Sequence, residues 1–137
     1  MKNKTKRNKI YSKNGKKPEA PANWFYMNDK EVTVRDIFQA LESEDSIHAE
    51  IWETAGVLEL EIPDQKSIDF EQTKPDLRDE YSNAILKEHQ IKSLFYVTID
   101  PENIQLIQCL MKKIVFSCGG FFCGDTEDFS PNSFSFK

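Results

Sequence analysis

Between Ile47 and Glu71 the chain alternates apolar and polar residues with period two in three successive segments, a spacing that a helix cannot use. Ile47–Glu53 and Val57–Ile62 are separated by Thr54-Ala55-Gly56, a short glycine-containing link of the kind that closes a β-hairpin. Ser67–Glu71 follows the Pro63-Asp64-Gln65 turn as a third short strand. In the first segment Ile47, Ala49 and Ile51 point one way, and His48, Glu50 and Trp52 the other. In the second, Leu58, Leu60 and Ile62 oppose Val57, Glu59 and Glu61; in the third, Ile68 and Phe70 oppose Asp69 and Glu71. The apolar sets must share one core. The opposite face therefore collects Glu50, Glu59, Glu61, Asp69 and Glu71 around Trp52, with no Lys or Arg among them. Cross-strand carboxylates repel by roughly a few tenths of a kcal/mol per solvated pair, so mixed charges would be the cheaper arrangement.

The flanking segments carry helical spacing. Val34, Ile37, Phe38 and Leu41 form one stripe over Thr33–Ser43, with Thr33 as cap and Asp36 in the capping-box position. A second helix is expected over Pro75–His89, with Leu77, Tyr81, Ala84 and Ile85 facing inward. Ser93–Ile99 is apolar on both alternations and reads as a central strand covered on both faces. Asp100-Pro101 caps and opens a third helix to about Lys113, with Ile104, Ile107, Leu110, Met111 and Ile114 on its apolar side. Ile114–Cys118 reads as a last strand, broken by Gly119-Gly120 and resuming through Phe121–Cys123; the chain from Asp125 onward is loop-like. The resulting order α-β-β-β-α-β-α-β predicts an α+β domain: a mostly antiparallel sheet of about five strands with three helices mainly on one face.

Charge divides the chain. Residues 1–17 hold eight Lys/Arg and no acid, while all 23 Asp/Glu lie beyond them against ten further cations, so the net of −5 averages two unlike parts. Like-charge repulsion and the absence of apolar spacing predict a basic, flexible, disordered arm over 1–23, ahead of a single domain over 24–137. Met27 opens a second plausible start, which would make the arm an upstream extension. No apolar run approaches the roughly 20 residues of a membrane span, and no apolar stretch follows the basic arm as in a secretory signal. Three cysteines do not make a disulfide framework, and a reducing cytoplasm is the expected compartment.

Complete catalytic motifs are missing. His48 and His89 are the only histidines, and neither has a Ser/His/Asp or HExxH context. Cys118 and Cys123 are spaced more widely than the tight knuckles of many zinc sites, so no metal or other cofactor is expected. A catalytic thiol would need an adjacent base, and Gly119-Gly120 has neither the lysine nor the following helix of a phosphate loop. The segment reads instead as a glycine turn with packed cysteines and Phe121, Phe122 and Phe129; Asp125, Glu127 and Asp128 extend the acidic surface. The function expected is a non-enzymatic protein-binding module, of inhibitor or immunity type, that neutralises a basic partner such as a nuclease toxin. Its expected contact residues are Trp52, Glu50, Glu59, Glu61, Asp69, Glu71, Asp125, Glu127 and Asp128, with no membrane partner. The alternatives are a nucleic-acid-associated accessory protein using the basic arm, in which the single Tyr11 gives little for bases to stack on, and a small thiol or carboxylate enzyme.

Overall fold

The computed structural model describes residues 20–131 apart from Gln65 and Arg78; most of the basic arm lies outside them. Among the described residues nine regular elements follow in chain order: β1 (Asn23–Asn28), α1 (Val34–Ala40), β2 (His48–Trp52), β3 (Val57–Glu61), β4 (Ile68–Thr73), α2 (Glu80–Glu88), β5 (Ser93–Thr98), α3 (Ile104–Cys118) and β6 (Phe121–Gly124). A 3-10 turn, Pro101–Asn103, leads into α3, capped by the Asp100 carboxylate. The strands form one antiparallel sheet in the order β2-β3-β4-β5-β1-β6. The fold is thus the expected α+β arrangement, with α1 and α3 on one face and α2 beside the other. Among the described residues no helix is long and apolar enough to cross a membrane.

Trp24, Tyr26, Leu58, Leu60, Ile68, Phe70, Phe95, Val97 and Phe122 project from the sheet onto Ile37 of α1 and Ile107, Leu110, Met111 and Ile114 of α3. A smaller cluster on the opposite face joins Phe25, Met27, Leu94 and Cys123 to Leu86, Ile91 and Phe129. This second core covers only the β5-β1-β6 half of the sheet. The β2-β3-β4 half has a single core beneath it.

Four features depart from the sequence expectations. β1 was not anticipated as an element, yet it is the strand that joins β5 to β6. Its Trp24-Phe25-Tyr26-Met27 run is buried on both faces and so carries no alternation to read. Ile114–Cys118 is not a strand but the end of α3, because Ile114 continues the Ile107, Leu110 and Met111 stripe and that burial outweighs local β propensity. The inner face of α2 is Leu86 with Ile85, while Tyr81 and Ala84 face out. β5 is covered on both faces only at Leu94; Tyr96 and Thr98 are exposed.

The chain reversal from α3 into β6 is organised by a buried polar group. Asn28, fully buried, donates through Nδ2 to the Tyr26 hydroxyl (3.0 Å) and to the Cys118 carbonyl (2.9 Å), and accepts from the Lys30 amide (3.0 Å). The Tyr26 hydroxyl in turn donates to the Gly119 carbonyl at 2.7 Å. Burial pushes the Tyr26 phenol up, partly opposed by the Asn28 hydrogen bond, so the group stays a neutral donor. These bonds satisfy the last carbonyls of α3 from the buried side, through the fully buried Asn28 and Tyr26.

Candidate functional site

The capping box expected at Thr33 is formed: the Asp36 amide donates to Thr33 Oγ1 and the Asp36 carboxylate accepts from the Thr33 amide. It fixes α1 over β2 and β3, so Ala49, Ile51, Leu58 and Leu60 turn toward the helices and the alternate residues turn away. Arg35 of α1 pairs with Glu53 at 2.9 Å, and Lys113 of α3 with Glu44, which holds the hairpin end and the α1–β2 connection to the helical layer.

Register then assembles the acidic face. Glu50, Glu59, Asp69 and Thr98 are successive Cα partners across β2, β3, β4 and β5, so three carboxylates stand in one row at strand spacings of about 4.8 Å. Trp52, Val57, Glu71, Tyr96 and Phe25 form the neighbouring row, and His48 lies opposite Glu61. All five carboxylates and Trp52 thus share one face, with Trp52 47% exposed. No Lys or Arg occurs in β2, β3 or β4. The local polar contacts are His48 Nε2 to Glu50 Oε2 at 3.6 Å and the Ser67 hydroxyl donating to Asp69 at 3.0 Å.

The other three acids lie on the loop after β6, at the far end of the sheet from β2 and β3. Asp125 and Glu127 line a cleft of about 520 Å³ with Asp79, Phe25, Tyr96 and Phe129. Asp128 is spent on the loop itself: it accepts from the Ser130 hydroxyl (2.8 Å), the Ser130 amide (3.2 Å) and the Thr126 hydroxyl (3.2 Å), which hold its carboxyl below the usual range. Tyr96, 40% exposed, links the two acidic groups, since it neighbours Glu71 in register and stands 5.6 Å from the Phe25 ring. Phe129 and the exposed Tyr81 continue the aromatic line at a ring separation of 6.4 Å.

Tyr96 and Asp79 are not among the contact residues expected from the sequence, and Tyr81, expected on the inner face of the second helix, is exposed instead. Tyr96 had a usable signal: the Leu94, Tyr96, Thr98 alternation becomes polar toward its end, as a face leaving the core does. Asp79 caps α2 through the Ser82 amide at 2.7 Å, and that bond lowers its carboxyl.

The cysteine segment has another character. Cys123 is buried, and desolvation pushes its thiol up to about 12; burial also raises Cys118, whose Sγ lies 3.7 Å from the Asp36 carbonyl. An activated nucleophile needs the opposite shift. Among the described residues no three His, Cys, Asp or Glu side chains are grouped to hold a metal ion.

If the carboxylate row carries uncompensated repulsion, Glu59→Gln at its centre should stabilise the protein by about 0.5 kcal/mol at low salt. Urea unfolding measures it, and the gain should shrink as salt is added. An unchanged midpoint at low salt would show that the row costs the fold nothing.

The molecule is therefore an α+β domain with one half of its sheet face acidic, aromatic and uncovered among the described residues. Comparison with protein-family models, with curated proteins and with solved structures found no match.

Proposed function

We propose that this chain is a small non-enzymatic protein-binding module whose acidic sheet face receives a basic protein partner. The specific form of the reading is an inhibitor or immunity-type protein that masks a cationic groove, such as that of a nuclease toxin. One observation carries it: Glu50, Glu59 and Asp69 stand in adjacent register on a cation-free three-stranded surface beside a half-exposed Trp52. Such a surface raises the rate of encounter with a positive partner, and the indole supplies the apolar anchor that charge lacks. Tyr96 and the Asp125/Glu127 cleft widen the same face. Three free cysteines suit a reducing compartment, and we place the site of action in the cytoplasm.

The test is capture by the immobilised full-length protein from native cell extract at about 50 mM salt, with elution at about 500 mM, where screening is strong. The expected product is a basic protein that elutes with salt and is lost from Trp52→Ala plus Glu59→Lys, while the circular dichroism of that variant stays unchanged. Recovery of no basic protein, or equal capture by the folded double variant, would refute the reading.

A further inference from the structure

We propose that the basic segment 1–17 of this same chain is a tethered occupant of the acidic face and competes there with the external partner. Its eight cations and absence of acids complement five carboxylates presented by strands without a single Lys or Arg. Trp52, exposed among those carboxylates, adds a ring face for a Lys or Arg side chain.

The entry point of the chain favours this occupant. Asn23 is the Cα partner of Thr98, which partners Asp69, so β1 begins in the row that continues through Glu59 to Glu50. Those three carboxylates lie two, three and four strand spacings from Asn23, or about 10, 14 and 19 Å. The Asp125 amide also donates to the Asn23 carbonyl at 2.9 Å, which sets the Asp125 and Glu127 loop beside the same entry.

Reach decides which cations can take part. Ala20 packs on the α1/α3 side of the sheet, so the segment must round the strand ends before meeting the acidic face. Three residues from Ala20 to Lys17 span at most about 10 Å, which brings Lys17 only to the rim. Seven residues from Ala20 to Lys13 span up to about 25 Å, enough for Asp69 and Glu59 after the detour. Lys2, Lys4, Lys6, Arg7 and Lys9 have more chain available and cover Glu50 and Glu61. Tethering keeps the segment at an effective concentration of order mM, where a weak electrostatic contact is populated.

The contact itself needs no partner to be observed; only its competitive consequence rests on the reading of the face as a site for a basic protein. The experiment compares the full-length protein with a full-length K2Q, K4Q, K6Q, R7Q, K9Q, K13Q, K16Q and K17Q variant by amide and indole NMR at about 20 mM salt. The expected differences fall on Glu50, Trp52, Glu59, Asp69 and Glu71, persist on tenfold dilution, and vanish at about 300 mM salt. Identical spectra beyond residue 30, differences that survive high salt, or differences lost on dilution would each overturn the tethered contact. If the contact is seen, the neutral-arm variant should bind the captured basic protein about tenfold more tightly at low salt, and equal affinity would overturn the competition.

Discussion

Starting the chain at Met27 is expected to leave no folded protein. The deletion removes Asn23–Tyr26, four of the six residues of β1, and with them the Trp24, Phe25 and Tyr26 pairings to both β5 and β6. Trp24 and Tyr26 are 1% and 0% exposed, and Phe25 belongs to the second core. Truncating one buried aromatic typically costs about 3–5 kcal/mol, against a total stability of about 5–15 kcal/mol for a domain. Losing three at once, together with a strand bonded on both sides, exceeds that margin. The check is the near-ultraviolet circular dichroism and the thermal transition of the truncated chain. A cooperative transition with native aromatic signal would contradict the role given to β1.

Gly120→Ala is expected to be far more damaging than the same change one residue earlier. Both glycines have positive φ, +84° at Gly119 and +76° at Gly120, so each substitution stores backbone strain of about 1–3 kcal/mol. Their surroundings differ. A methyl group on Gly119 would meet the Lys30 Nζ at 3.5 Å and the Asn28 Nδ2 at 3.9 Å, both ordinary contacts. On Gly120 it would be driven into the Met27 carbonyl and to 3.0 Å from the Asn28 amide. That carbonyl belongs to β1, and Asn28 is held by Tyr26, Cys118 and Lys30, so neither can step aside cheaply. Overpacking adds about 1–3 kcal/mol to the strain, which makes Gly120→Ala a change of roughly 2–6 kcal/mol. Urea unfolding of the two variants gives the comparison. Equal losses would mean that strain alone acts and that the close approach of β6 to β1 is unimportant.

Much of the sheet was legible because one-sided burial writes an alternation into the sequence. Ile47 to Glu71 could be sorted into faces residue by residue, and the five carboxylates and Trp52 fall where that sorting places them. Legibility failed where burial was two-sided or where a local preference met a longer pattern. Trp24–Met27 has no polar partner positions to mark it as a strand, and Ile114–Cys118 contains strand-favouring residues that serve the inner stripe of α3. The loop acids stand together in the sequence, but only the hydrogen bonds distinguish Asp128, committed to Ser130 and Thr126, from Asp125 and Glu127 on the cleft. Tyr96 was hidden by its neighbours: five apolar residues in Leu94–Ile99 made a fully covered strand the natural expectation.

The unequal covering of the sheet has a dynamic consequence. β1 and β6, and β5 at Leu94, lie between two apolar layers, whereas β2 and β3 rest on one and β2 is an edge strand among the described residues. Opening free energies follow the apolar contact each segment has to break, so the hairpin at Trp52 should breathe at a lower cost than global unfolding. The surface proposed for recognition is then also the segment most able to adjust its shape. A ligand that settles on it would slow hydrogen exchange there first, and leave the doubly covered strands almost as protected as before.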